Sequence, residues 1–178
     1  MKTLTLLRHA KSGWDDAVQR DFDRPLNAKG RRAAQAVGRH WQREGLRFDH
    51  VIASPAVRVQ QTLDEAAKGY GDPLQPVWDR RIYLASAATL LDLVRELDDA
   101  HGVVLLAGHN PGLEDLVLLL VPDAEPTRGA VEEKYPTASV AELSFPIERW
   151  RDAAKGGAAL TRFVRPRDLD PSLGPDSA

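Results

Sequence analysis

The stretch Val103-Val104-Leu105-Leu106-Ala107 leaves few architectures open. It is apolar at every position, so both faces of the extended chain call for cover, which is the pattern of a central strand in a parallel sheet. Parallel strands need crossover helices, and the rest of the chain offers them. Leu4-Thr5-Leu6-Leu7 is a second run of this kind, giving a first strand over about residues 3–7. Asn27 suits the cap of a helix reaching about Glu44 and stopping at Gly45, with Ala33, Val37 and Trp41 on one stripe. A short second strand over residues 49–53 runs into Ser54-Pro55, a helix-start signal with Ser54 as cap, and that helix is expected to end at Gly69.

Residues 73–78 form a weaker third strand candidate, and Ser86 opens a helix carrying Leu90, Leu91, Val94 and Leu97 on one face. After the strand at 103–107, Asn110 and Pro111 suit the start of a helix through Leu120. Residues 122–136 are charged and turn-rich and read as an excursion, whereas 139–145 and 159–164 have strand character. From Arg165 onward three prolines and few apolar groups suggest a frayed, flexible tail over residues 165–178. The expectation is one α/β domain over residues 1–164 with a mostly parallel sheet.

Composition narrows what such a domain binds. The net charge of −2 over 178 residues gives no reason to expect nucleic acid or an anionic membrane as partner, so any anion site must be a local concentration of positive charge. There is no cysteine, hence neither a disulfide framework nor a thiolate metal site. No stretch approaches the roughly 20 apolar residues of a bilayer span, and the opening apolar run is too short for a signal segment. A cytoplasmic protein is expected.

Three strand ends carry residues that packing does not require: Arg8-His9 after the first, Arg58 just after the second, and His109 after the strand at 103–107. Parallel strands put their carboxyl ends on one edge, where open α/β sheets bind ligands. These four groups therefore converge if the strands are neighbours. Arg58 falls in the first turn of a helix, where the macrodipole disfavours a cation by a few tenths of a kcal/mol or more; an anion there removes the conflict. The helix after His109 likewise offers free N–H groups to an anion. His40, His50 and His101 have no such setting and read as structural.

Arginine presents a planar fork that matches phosphate oxygens, and histidine can act as nucleophile, acid or base. Nearby arginines would keep a histidine neutral near pH 7. The combination implies in-line phosphoryl transfer from substrate to a histidine, followed by hydrolysis, with cations stabilising the equatorial oxygens. Two histidines without a carboxylate at ligand spacing make a poor two-metal site.

At these residues the chain resembles a known family. Leu7-Arg8-His9-Ala10 resembles the Arg-His-Gly signature of the histidine phosphatase superfamily, which includes cofactor-dependent phosphoglycerate mutases. Further matches point to its SixA-like phosphohistidine phosphatase branch: Lys11-Ser12 after Ala10, Asp23-Arg24-Pro25-Leu26-Asn27 with Gly30, and Ser54-Pro55-Ala56 with Arg58, Gln61 and Thr62. Gly108-His109-Asn110-Pro111-Gly112 and Pro136-Thr137-Ala138 complete the set, in family order. The resemblance implies a three-layer α/β/α, phosphoglycerate mutase-like fold, no metal or organic cofactor, and His9 as the phosphorylated nucleophile. Arg8, Arg58 and His109 would bind the phosphoryl group, in a phosphorylated protein (phosphohistidine) or a small phosphate ester. A non-catalytic phosphate-binding module is the rival from another class, although a mere binder has no use for a nucleophile.

Ala10 replaces the superfamily's usual Gly. Lys11, Ser12 and Asn110 are candidate phosphate donors, Lys11 and Ser12 equally plain loop residues. Trp14 either touches substrate or covers the edge of the core, and a carboxylate at Asp15 would repel phosphate unless it points away. The superfamily's acid is commonly a Glu after the third strand; Asp79 is the nearest candidate here, or else a solvated charge beside Arg80 and Arg81. A weak acid favours phosphohistidine, whose protonated imidazole leaves readily.

Overall fold

The computed structural model describes residues 1–13 and 20–175. Six strands form one sheet: β1 (Lys2–Arg8), β2 (His50–Ala53), β3 (Val77–Trp78), β4 (Val103–Gly108), β5 (Val140–Phe145) and β6 (Ala159–Val164). Their spatial order is β3-β2-β4-β1-β5-β6. The first four run parallel, and β5 is antiparallel to both β1 and β6. β4 lies between β1 and β2, paired Leu6 to Leu106 on one side and Ile52 to Leu106 on the other.

The unbroken apolar run of β4 is explained by two separate cores. Val104 and Leu106 point into one with Leu4 and Leu6, covered by helices α3 (Ala87–Arg95) and α4 (Gly112–Leu120). Leu105 and Ala107 point into the other with Leu7 and Val51, covered by α1 (Ala28–Arg43) and α2 (Val57–Tyr70). The result is a three-layer α/β/α sandwich. Leu4, Leu6, Leu105 and Leu106 are wholly buried, each contributing about 1.5–3 kcal/mol relative to exposure.

The caps follow local chemistry in part. Asn27 accepts from the Gly30 N–H at the start of α1, and Ser86 accepts from Thr89 at the start of α3. α2 differs from expectation at both ends. It opens at Val57 with Ala56 at the cap, and Ser54, two residues earlier, accepts from the Ala56 N–H and also reaches into the site described below. It continues through Gly69 to Tyr70 and ends on left-handed Gly71. Gly69 is required for another reason: a Cβ there would lie 2.1 Å from the Gln35 carbonyl oxygen of α1. The third strand is only two residues long, and the excursion at 122–136 contains a helix, α5 (Arg128–Glu133).

The frayed tail is a second correction. Pro166–Leu169 form a short helix, α6, at whose start Asp168 accepts from the Arg165 N–H at 2.9 Å, and a 3-10 turn follows over Pro171–Leu173. Leu173 is 8% exposed in the α1–α2 core, Leu169 packs against that core, and Lys29 of α1 donates to the Gly174 carbonyl. Pro at the first helical position is a start signal, and the leucines after it are enough to dock the segment. No helix among the described residues is long and apolar enough to cross a membrane.

Candidate active site

The site sits where the carboxyl ends of β2, β4 and β1 meet. Arg8 is in register with Gly108, and the His9 N–H donates to the Gly108 carbonyl at 3.1 Å. On the other side the Ser54 N–H donates to Ala107 at 3.1 Å. His109, following β4, is thereby held between the ends of β1 and β2. The His9 and His109 rings lie 5.4 Å apart, and both are buried. Arg58 reaches His109 Nδ1 with one terminal nitrogen at 3.2 Å. The structure thus brings His9, Arg58 and His109 together, with Arg8 adjoining His9 at the end of β1.

The hydrogen bonds fix the tautomer of each ring. His9 Nδ1 is 2.8 Å from the Ala10 carbonyl oxygen, which can only accept, so Nδ1 carries the proton and Nε2 presents its lone pair. His109 is the reverse. A guanidinium can only donate, so Nδ1 accepts from Arg58 and Nε2–H donates to Ser54 Oγ at 2.7 Å. Burial, with the positive charge of Arg8 and Arg58 and the neighbouring His109, pushes His9 down to about 3, against the Ala10 carbonyl that favours the proton. Burial and Arg58 push His109 down to about 4. Both rings are neutral at pH 7.

The arginines are anchored through their terminal nitrogens. Arg8 donates to the Tyr135 carbonyl at 3.0 Å. Arg58 donates to the backbone carbonyl and the carboxylate of Asp21 at 2.8 and 3.0 Å. The Nε of each is buried without an acceptor, a costly state that an oxyanion can relieve. The expected conflict between Arg58 and the α2 dipole is met in part by Asp21. Burial works to raise the Asp21 pKa, but hydrogen bonds from Tyr83, Arg24 and Arg58 hold it down to about 2. Tyr83 donates to the same carboxylate at 2.6 Å and packs edge-on to His109 at 5.3 Å.

Backbone anchors complete the frame. Thr62 Oγ1 accepts from the Ala10 N–H at 2.9 Å and donates to the Arg58 carbonyl at 2.6 Å, tying the end of β1 to α2. The Ala138 N–H donates to the carbonyls of Arg8 and His9, with Ala138 at φ +59°, a strained left-handed position for a residue with a Cβ. Gly30 lets α1 approach the loop after β1, since a Cβ there would meet the Lys11 carbonyl oxygen at 2.1 Å.

Four further candidates sit differently. Ser12 Oγ accepts from Arg24 at 2.6 Å and its backbone bridges to Leu26, which is a structural tie. Asn110 spends its amide on the Tyr135 carbonyl (3.0 Å) and the Glu114 N–H (3.2 Å), so it orders the loop that carries His109. Lys11 lines a cavity beside Arg8. Asp79 caps the 3-10 turn Arg80–Ile82 and is bound by Arg81 at 2.8 and 3.1 Å, hydrogen bonds that hold its carboxyl below the usual range. An ionised, paired Asp79 is unsuited to serve as the acid. Trp14 and Asp15 lie outside the described residues. His50 and His101 stack at 4.6 Å by the amino ends of β2 and β4, on the opposite edge of the sheet from the site, and His40 is buried in α1.

Ser54, Asp21, Tyr83 and Tyr135 were not legible as site residues. Ser54 carries a stronger local signal as a helix cap, and no periodicity marks a loop carboxylate such as Asp21. The pairing of Asp21 with Arg58 spans 37 positions.

Comparisons with known proteins agree with this geometry. Residues 4–81 match the family model described as histidine phosphatase superfamily (branch 1). The uncharacterized protein Rv1276c of Mycobacterium tuberculosis is 34% identical over 165 residues, covering 90% of this chain and all of the relative. A solved structure assigned as phosphohistidine phosphatase SixA from Nakamurella multipartitia is 33% identical, with a TM-score of 0.76 over 93% of this chain and 96% of that one. A second structure with that assignment, from Agrobacterium tumefaciens, is 27% identical with a TM-score of 0.76 over 92% and 97%. With two histidines and two arginines at one sheet edge and relatives aligned over nearly their whole length, this chain belongs to the histidine phosphatase superfamily, in its SixA-like branch, and is a phosphatase.

Proposed function

We propose that the protein removes phosphoryl groups from phosphohistidine in a protein substrate, without a metal, through a phosphoryl intermediate on His9. The observation that carries this reading is the His9 tautomer: Nδ1–H is held by the Ala10 carbonyl, which leaves the Nε2 lone pair available. In the first step the substrate ring carries a proton taken from solvent on its unphosphorylated nitrogen, Nε2 of His9 attacks phosphorus, the P–N bond to the substrate breaks, and the substrate histidine leaves as neutral imidazole. The equatorial oxygens meet Arg8 and Arg58, whose buried Nε–H groups have no other acceptor, while His109, its own donor held by Ser54, keeps Arg58 in place, so little reorganisation accompanies the reaction. In the second step water attacks phosphorus, the His9–phosphorus bond breaks and returns the lone pair to Nε2, and phosphate departs carrying the water's protons.

Phosphohistidine suits this site better than an alkyl ester. An alkoxide leaving group needs a proton from the enzyme, and among the described residues the carboxylates Asp21, bound to Arg58, and Asp79 are both paired and held below the usual range. The relatives assigned as phosphohistidine phosphatase support the same substrate.

Acid quench and base quench of a reaction with radiolabelled substrate test the reading. A base-stable, acid-labile label on the wild type that is lost in His9→Ala is expected. Full turnover by His9→Ala would overturn it. A comparison of a phosphohistidine peptide with sugar and nucleotide phosphates, with and without chelator, tests substrate class and metal independence.

A further inference from the structure

Beside the histidines lies a cavity of about 470 Å³ of which the chemistry above uses only Arg8. Its walls are the start of α1, α5 with the chain following it, and the segment from Arg165 to Pro175. Lys11, Lys29, Lys134, Arg165 and Arg167 line it, and Arg8, at the end of β1 next to His9, belongs to its wall as well. Glu133 is the one acidic residue in that lining. Such an excess of cations is notable in a chain with 24 Lys and Arg against 26 Asp and Glu. Asp168 ties down Arg165 and Glu133 acts on it as well, while Lys134 and Arg167 stand exposed on the same wall. The first turn of α1 adds to that positive charge, with no acidic residue to offset the basic ones. Charges of one sign around a concave surface focus the field on whatever enters.

The cations alternate with apolar surface, from Ala33, Pro136, Pro166, Leu173 and Pro175. A bare polyphosphate would leave that surface unused, whereas Asp and Glu side chains on a peptide present a carboxylate and an aliphatic stem together. We propose that this cavity receives acidic residues flanking the phosphorylated histidine, so that the substrate is a phosphohistidine protein with carboxylates beside the modified residue. The proposal rests on the phosphohistidine reading above and adds to it the sequence context of the substrate. The segment after Arg165 is then a specificity wall.

The test uses the full chain carrying His9→Ala, which binds without turnover, and two fluorescent phosphohistidine peptides, one with Asp and Glu flanks and one with Asn and Gln. Fluorescence anisotropy is expected to show the acidic peptide binding about 10-fold tighter at low salt, the scale of a few partly screened ion pairs, and the gap closing at high salt. Lys134→Gln with Arg167→Gln, both exposed positions, is expected to remove the preference. In the wild-type His9 background the same pair is expected to leave kcat/KM on p-nitrophenyl phosphate unchanged. Equal affinity for the two peptides, or a preference that survives the double substitution, would overturn the proposal. Because binding is read without turnover, its outcome is separate from that of the phosphohistidine reading, which fails if wild type hydrolyses p-nitrophenyl phosphate but neither peptide.

Discussion

Arg58 donates to His109 Nδ1 at 3.2 Å, and this contact dictates that the neutral ring of His109 carries its proton on Nε2. His9, 5.4 Å away ring to ring, carries its proton on Nδ1. Two histidines in one pocket are thus held in opposite tautomers, one with its Nε2 lone pair available to attack and the other clamped between a guanidinium and a serine hydroxyl. Imidazole nitrogen shifts by NMR are expected to report these two forms between pH 8 and pH 5, with no protonation step near the ordinary value of 6.5. Inorganic phosphate, as an anion beside both rings, is expected to raise both pKa values.

The same depression has a consequence for stability. Below 6.5 the unfolded chain takes up protons that folded His9 and His109 refuse until about pH 3 and 4. Their contribution is therefore full above 6.5 and is lost as pH falls toward those values. Asp21, held down to about 2, contributes above its ordinary 3.8 and loses that contribution only as pH falls through about 2. Thermal melts are expected to give a Tm that declines between pH 6.5 and 4, with a shallower decline in a variant lacking His109.

Arg58→Lys is expected to be nearly as damaging as Arg58→Ala. The fork makes three contacts, two to Asp21 and one to His109, and an ammonium on a flexible stem does not reproduce that geometry. A loss of about 100-fold or more in kcat is expected, the scale seen when one preorganised donor is removed. Rescue by lysine to within a few-fold would show that charge alone suffices.

Asp21→Asn isolates the group that orients Arg58. The amide keeps the shape but removes the charge that binds Arg58, Arg24 and Tyr83. A charge-assisted hydrogen bond contributes about 1.5–3 kcal/mol, so a fall of about 10-fold or more in kcat/KM is expected. Tyr83→Phe, which removes one neutral donor from the same carboxylate, is expected to cost less. The reverse order would mean that Tyr83 acts on the reaction directly.

The parts of the fold and site that the sequence exposes are those encoded by contiguous chain. Buried strands announce themselves as apolar runs, and Arg8, His9 and His109 stand out because they end or directly follow such a strand, Arg58 because it opens the helix after one. Parallel strands then place them on one edge whatever the strand order. Ser54 shows where this stops: its hydroxyl accepts from the Ala56 N–H ahead of α2, but the same oxygen also takes Nε2–H of His109, a partner 55 positions away that no local pattern announces. Asp79 shows the same in reverse, a carboxylate at a suggestive position that Arg81, two residues on, claims. Asp21 and Tyr135 bear on the site only through contacts dozens of residues away, which no local pattern records.

The segment after Arg165 gives the last prediction. Its prolines and sparse apolar residues read as a solvated tail, yet Leu173 reaches the core between α1 and α2 and is 8% exposed. Leu173→Ala is expected to destabilise the fold by roughly 2 kcal/mol, the low end for a buried leucine because one side of the site is open and can collapse. Removing residues 166–178 goes further, taking away Leu169 and Leu173 together and the acceptor of Lys29 at Gly174. Denaturant unfolding is expected to show a lower midpoint in both variants. Turnover of p-nitrophenyl phosphate below the unfolding transition is expected to persist, because the hydrogen bonds that hold His9, Arg8, Arg58 and His109 run to Ala10, Tyr135, Asp21 and Ser54 and not to the described residues of this segment. Loss of that activity while the fold remains intact would place the segment inside the catalytic machinery rather than beside it.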